Sequence, residues 1–329
     1  MVGPNGAGKT NLLEAIHLGT QGFSSRTRAE QQAVRFGEDA ARVKVGGSEQ
    51  SAPFETRVDL QRGGAKRVWL NGAEIRSADE LRLRLAALAF SPDRLAVVKG
   101  GPLVRRTYFD RMLGRVHPAR APLPGEYARA LGQRNAALRR VGSGLSSLAA
   151  VEPWTEQLAA LGTELDRERA ALIAVLAPEL AVRAAALGLD KTELGYEERG
   201  LTVAELNERL EKDLERGTTG VGPHLRDVSL TAAGRDLRRY GSQGEQRAAV
   251  LALVLAEAAL LAARRGTPPV LLLDDVFSEL DERRRAGLLD AVPDGAQTVV
   301  TATERDALPA AAGDPALIVD VRPGEAVAL

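Results

Sequence analysis

Apolar positions recur at helical spacing along Asn11-Leu12-Leu13-Glu14-Ala15-Ile16-His17-Leu18, which predicts a first helix opening directly behind a glycine-rich stretch. Beyond it, from Val34 to about Leu70, the pattern alternates and is broken by Gly46-Gly47 and Gly63-Gly64. Residues 43–45, 56–60 and 67–70 therefore read as an antiparallel meander, followed by an Asn71-Gly72 turn. A helix over 77–85 leads to Leu88-Ala89-Phe90-Ser91-Pro92-Asp93 and a turn-rich junction at 97–102. The period then becomes helical over 105–113, 126–140, 154–176, 179–187 and 203–215, with Pro118, Pro122, Pro124, Gly142-Ser143-Gly144 and Pro178 as breaks. Mixed text resumes with Val228-Ser229-Leu230 and a long helix that stops near Arg265-Gly266. Val270-Leu271-Leu272-Leu273 is apolar without alternation, as a strand buried on both faces of a parallel sheet must be. Residues 298–300 and 316–319 are the last strands expected. The pattern divides the chain into an α/β domain, 1–104 and 217–329, carrying an inserted helical lobe, 105–216.

The stretch ahead of the first helix carries the chemistry. Gly3-Pro4-Asn5-Gly6-Ala7-Gly8-Lys9-Thr10 spells G-x-x-x-x-G-K-T. Glycines let consecutive backbone N–H groups turn inward around phosphates, Lys9 adds a point charge, and the Thr10 hydroxyl is a ligand for Mg²⁺. The helix behind the loop points its N-terminus at the same anion. Gly3, Asn5, Gly6, Gly8, Lys9, Thr10 and Asn11 are thus the candidate nucleotide-binding residues. Only Met1 and Val2 precede Gly3, where a phosphate loop ordinarily hangs from a strand of about 5 residues. The expectation is that N-terminal strands are missing, through a start set too far downstream or through loss of sheet elements.

Composition narrows the classes. The chain has 329 residues, no cysteine, and three histidines, His17, His117 and His224, too scattered for a metal cluster. Nothing resembles a secretory signal, and the apolar run 248–263 is interrupted by Glu257, so a soluble, cytoplasmic protein without a membrane partner is expected. Net charge is zero, so any nucleic-acid contact must come from a local patch. Arg62, Lys66 and Arg67 on the meander are candidates for touching phosphates or are simply solvated.

Two further stretches join the loop. A strand that ends in Asp274-Asp275 is where an NTPase places the carboxylate that holds Mg²⁺ opposite the loop threonine. Asp275 is then either the group that polarises the attacking water or a capping acid. Ser242-Gln243-Gly244-Glu245-Gln246 opens the long helix with a hydroxyl and free N–H groups, a second anion site or an ordinary N-cap.

The order of phosphate loop, inserted lobe, S-x-G-x-Q at a helix start, D-D strand and Ser278-Glu279-Leu280-Asp281 resembles the SMC-like branch of the ATP-binding-cassette ATPases. Within that branch, Ser25-Arg26-Thr27, Arg35-Phe36-Gly37, Phe90-Ser91-Pro92-Asp93, Arg105-Arg106, Gln133-Arg134-Asn135 and Gly222-Pro223-His224 are similar to the bacterial recombination and gap-repair members. The resemblance implies an ABC-type ATPase head, an ATP-driven homodimer with weak, DNA-stimulated hydrolysis, binding of single-stranded and gapped duplex DNA, and RecO- and RecR-type partners. It implies that Lys9, Asp274 and Asp275 are catalytic, that Thr10 and Asp274 hold Mg²⁺, and that Ser242, Gln243 and Gly244 meet the nucleotide bound by the other copy. Asp281 is assigned to the dimer face. Thr301 and Thr303 stand where many transport cassettes have a histidine that meets the γ-phosphate, and Thr303 is counted with the nucleotide ligands. The chain departs from the family pattern at Leu225-Arg226-Asp227, which leaves the role of those charges open. The alternatives are a non-hydrolysing interaction protein and a transport-cassette ATPase.

Overall fold

The computed structural model describes residues 1–27, 29–49, 52–278, 280–305 and 315–329. They form two compact units, one of residues 1–95, 183–189 and 243–329, the other of residues 96–182 and 190–242.

In chain order the first unit begins with helix α1 (Lys9–Gln21), strands β1 (Ala40–Glu49), β2 (Ala52–Gln61), β3 (Arg67–Leu70) and β4 (Ala73–Ile75), helix α2 (Asp79–Arg84) and strand β5 (Ala87–Phe90). The second contributes α3 (Ala96–Lys99), α4 (Pro102–Val116), α5 (Leu123–Gly142), most of α6 (Glu152–Ala186), β6 (Thr192–Tyr196), α7 (Val203–Glu208), α8 (Leu210–Arg216), β7 (Val228–Ala232), β8 (Arg235–Asp236) and α9 (Leu237–Tyr240). The first unit then resumes with α10 (Gln243–Arg265), β9 (Val270–Leu273), α11 (Glu282–Ala291), β10 (Thr298–Val300), β11 (Val319–Arg322) and β12 (Glu325–Ala328).

Helix α1 organises the first unit because it is apolar on two sides. Leu13 and Ile16 pack with Ala89, Leu272 and Val299 of the parallel sheet β10-β9-β5. Leu18 faces the opposite way, into Val58, Leu60 and Val68 of the meander. Leu271, Leu272 and Leu273 are at most 1% exposed, and burial of such side chains contributes about 1.5–3 kcal/mol each. Among the described residues α10 is the one helix long and apolar enough to cross a membrane, but 72% of that stretch is buried in this protein, as a core helix. Val2 bridges Ala302 and Asp320 in parallel, so the two residues before Gly3 lie between the end of β10 and β11.

Several elements differ from expectation, among them the helix expected over 203–215, which is two helices, α7 and α8, separated at Arg209. The expected helices 154–176 and 179–187 are one helix, α6, running through Pro178. The lost N–H bond costs about 3 kcal/mol, but Leu172, Leu176, Leu180 and Ala184 are fully buried along one stripe on either side of the proline, and that burial outweighs it. The strand expected over 316–319 begins only at Val319, as β11, and forms a hairpin with β12, a partner not anticipated. Strand β6, also unanticipated, pairs with β7. The expected lobe, 105–216, accounts for most of the second unit, which also takes in residues 217–242 through that pairing and leaves residues 183–189 to the first.

A polar network lies at the centre of the second unit. Arg134, fully buried, donates to Asp213 (2.9 Å), Thr219 (2.7 Å), Thr155 (3.1 Å) and the Leu206 carbonyl (3.3 Å). Asn135 accepts from the Thr219 amide and hydroxyl. The His224 Nε2 lies 3.1 Å from the Thr219 carbonyl, an acceptor only, so Nε2 carries the proton and Nδ1 accepts from the Tyr127 hydroxyl at 2.7 Å. Burial pushes Tyr127 up to about 12, which keeps this donor protonated.

Burial also holds His224 below its ordinary 6.5. The unfolded chain therefore takes up this proton first, and the stabilisation, complete above about pH 6.5, is lost as pH falls through the folded value. Thermal denaturation between pH 7 and 5.5 should show stability falling by up to about 1.4 kcal/mol per pH unit from this group. His224→Gln should remove that share of the slope, and an unchanged slope would refute the neutral, Nε2-protonated assignment.

Candidate nucleotide site

The loop is shaped by its sequence. Gly6 and Gly8 have φ of 80° and 106°, a region that disfavours side chains. At Gly3 the constraint is space, since a Cβ would lie 2.2 Å from the Val321 carbonyl of β11. Gly8 caps α1 without a side-chain hydrogen bond, leaving the first N–H groups of the helix to the loop interior. Lys9 is buried and donates to the Gly3 carbonyl (2.6 Å) and the Pro4 carbonyl (3.0 Å), which holds its ammonium inside the loop with one donor left over.

Opposite stands the end of β9. The Asp274 amide donates to the Phe90 carbonyl of β5 at 3.0 Å, which fixes the strand end. The Asp274 carboxylate accepts from Thr10 at 2.9 and 3.1 Å and from Thr301 at 2.8 Å. A hydroxyl and a carboxylate oxygen are the hard donors Mg²⁺ takes, and neighbouring oxygens about 2.1 Å from an octahedral ion lie roughly 2.9 Å apart. The pair therefore fits that ion. Asp275 follows with φ of 49°, a left-handed conformation that costs a non-glycine residue about 1–2 kcal/mol. Its side chain is exposed, and its amide donates to the Thr301 hydroxyl at 2.8 Å. A hollow lined by Phe90, Arg247, Leu251, Asp274, Asp275, Val276 and Leu280 adjoins these carboxylates.

The structure thus brings Thr10, Asp274 and Asp275 to one strand end, with Lys9 held inside the adjoining loop. It treats other expected residues differently. Asn11 accepts from Arg26 at 3.4 Å on the exposed side of α1. Asn5 is exposed on the loop. Thr303 is exposed, while Thr301 is fully buried with its hydroxyl committed to Asp274 and the Asp275 amide. Asp281 caps α11 by accepting from the Arg284 amide at 2.8 Å, and Glu279 lies outside the described residues. Ser242 and Gln243 are exposed at the head of α10 beside half-buried Gly244. Arg247, one turn into α10, was not predicted as a lining residue; its place just after the S-x-G-x-Q stretch was the available signal.

The meander cations have local partners. Lys66 pairs with Glu30 at 2.7 Å and Arg67 with Glu74 at 2.7 Å, while Arg62 donates to the Arg35 carbonyl at 3.4 Å. The divergent Leu225-Arg226-Asp227 stretch also gains roles. Arg226 pairs with buried Asp166, Asp227 pairs with Arg105, and Leu225 is exposed.

The family model for the RecF/RecN/SMC N-terminal domain matches residues 1–321. The chain belongs to that family. It is 39% identical to the DNA replication and repair protein RecF of Myxococcus xanthus over 342 residues, covering 98% of this chain and 89% of that protein. The RecF of Halothermothrix orenii is 36% identical over 92% of this chain and 85% of its own length. Among solved structures, the recombination mediator protein RecF-ATP of the RecFOR pathway superposes with a TM-score of 0.87 at 28% identity, covering all of this chain and 90% of that one. An Smc head domain from Pyrococcus furiosus, at 18% identity and a TM-score of 0.53, shares the fold. The α/β ABC-type head expected from the sequence is the observed fold.

Proposed function

We propose that this chain is a RecF-type ATP-dependent DNA-binding protein of recombinational DNA repair and replication-gap repair. The observation that carries the reading is that Thr10, next in the loop to the inward-held Lys9, meets Asp274 at a strand end, with the Thr10 hydroxyl 2.9 Å from the carboxylate. The loop N–H groups and the Lys9 ammonium bind the triphosphate of ATP, and Thr10 with Asp274 holds Mg²⁺. Bound there, the ion would supply positive charge that stabilises the phosphates during transfer. Asp275, exposed next to the metal carboxylate, orients the attacking water. Ser242 at the head of α10 meets the nucleotide held by a second copy, so that ATP closes a homodimer with Asp281 on its face. The dimer binds single-stranded and gapped duplex DNA through arginines brought together from two copies, since net charge is zero. Weak, DNA-stimulated hydrolysis releases it, and RecO- and RecR-type partners act with it in recombinase loading in the cytoplasm.

Sedimentation of the chain with and without ATP tests this reading. ATP should convert monomer to dimer, and Ser242→Arg should abolish that shift while leaving binding of a fluorescent ATP analogue within about threefold, roughly 0.65 kcal/mol. Tight ATP binding with no self-association would sink the shared-site mechanism and favour a non-hydrolysing interaction protein.

A further inference from the structure

We propose that Thr301 is a positioning residue that sets the Asp274 carboxylate and the Asp275 backbone together. The inference rests on reading Gly3 to Thr10 as an ATP site. Thr301 stands one residue past β10, and because Val300 pairs with Leu273, its side chain arrives beside the end of β9. The Thr301 amide donates to the Leu273 carbonyl at 3.1 Å, which fixes its backbone. Its hydroxyl is fully buried and has one proton, given to Asp274 Oδ1 at 2.8 Å. The oxygen then accepts from the Asp275 amide at 2.8 Å. Its single donor is spent inside the protein, so the hydroxyl serves the Asp274 carboxylate and the Asp275 backbone and not the γ-phosphate, which can only accept.

The two bonds do different work. Asp274 accepts from Thr10 as well, and Thr10 is the residue that must turn its oxygen towards Mg²⁺. When it does, Thr301 remains the donor that holds the carboxylate in its rotamer. The second bond satisfies a backbone N–H at a residue whose φ of 49° is unfavourable, and so holds in place the turn from which the Asp275 side chain projects. Without the hydroxyl, the carboxylate is freer to rotate and the Asp275 peptide is free to relax.

Thr301→Val keeps the shape and removes both bonds, Thr301→Ala removes them without the extra methyl, and Thr301→Ser keeps the hydroxyl. Two readouts are needed, ATPase kinetics and the Mg²⁺ concentration that gives half-maximal binding of a fluorescent ATP analogue, each on protein whose folding is checked by melting temperature. Valine and alanine should each raise the Mg²⁺ midpoint and lower kcat about tenfold or more, as expected for a lost hydrogen bond to a charged group, with KM for ATP changed little. Serine should restore both to within about threefold. A valine or alanine variant that folds and matches the parent in Mg²⁺ midpoint overturns the proposal, as does a serine variant no better than valine. If the parent binds Mg²⁺-ATP but hydrolyses nothing, the hydrolysis reading fails while the Mg²⁺ midpoint still decides on Thr301. If the parent binds no ATP, both fail.

Discussion

Asp274→Asn is expected to lower ATP hydrolysis about 100-fold or more, a barrier change of about 2.7 kcal/mol, while the fold persists. The carboxylate is 7% exposed and accepts from two hydroxyls, those of Thr10 and Thr301. Asparagine has nearly the same shape and retains one acceptor oxygen, but it turns the other position into a donor and removes the charge that offsets a divalent cation. The loss should fall on kcat and on the Mg²⁺ requirement more than on melting temperature, because neutralising a buried carboxylate also removes its desolvation penalty. Asp275→Asn separates the two acids. Its side chain is exposed and makes no contribution to the Thr10 pair, so it should lower kcat with the Mg²⁺ midpoint unchanged. Steady-state kinetics over a Mg²⁺ titration measures all of this. Hydrolysis by Asp274→Asn within about threefold of the parent would show that the metal is held elsewhere.

What could be read in advance was the chemistry tied to contiguous residues. Gly3 to Thr10 carries its own geometry, since glycine at φ of 80° and 106° and a lysine at a fixed offset need no tertiary information. Asp274 was legible because four apolar residues before a pair of acids describe a buried strand emerging at its end. Thr301 was legible as a position but not as a partner. Its hydroxyl finds Asp274 only because the parallel register sets Val300 beside Leu273, and a single sequence does not state a register between strands so far apart. Strand β6 was hidden for a similar reason: Thr192-Glu193-Leu194-Gly195-Tyr196 contains a glycine and a glutamate and becomes a strand by pairing with β7. Pro178 misled because a local rule was overridden by a stripe of buried leucines on both sides of it. The separate stretches that carried the resemblance, Gln133-Arg134-Asn135 and Gly222-Pro223-His224, turn out to converge on Thr219, which neither contains.

That convergence carries the largest stability prediction. Arg134→Met should destabilise the protein by about 3–5 kcal/mol, the range for breaking a buried ion pair by removing one partner. Arg134 is fully buried and Asp213 is 1% exposed, so solvent cannot replace the lost guanidinium. Methionine fills much of the volume, but it leaves Asp213 with the Gly220 amide at 3.0 Å and strips Thr219, Thr155 and the Leu206 carbonyl of their donor. The cost is therefore that of an uncompensated charge, and the double variant Arg134→Met with Asp213→Asn should recover part of it by neutralising the orphaned acid. Urea denaturation of the parent, both single variants and the double variant closes the cycle. A coupling energy above about 1 kcal/mol places the pair at the centre of the network, whereas additive losses would mean that Arg134 acts through packing alone. Loop-bound chemistry offers the control: ATP-analogue binding should be nearly unchanged in any Arg134 variant that remains folded at the assay temperature, because Gly3 to Thr10 and Asp274 belong to the other compact unit.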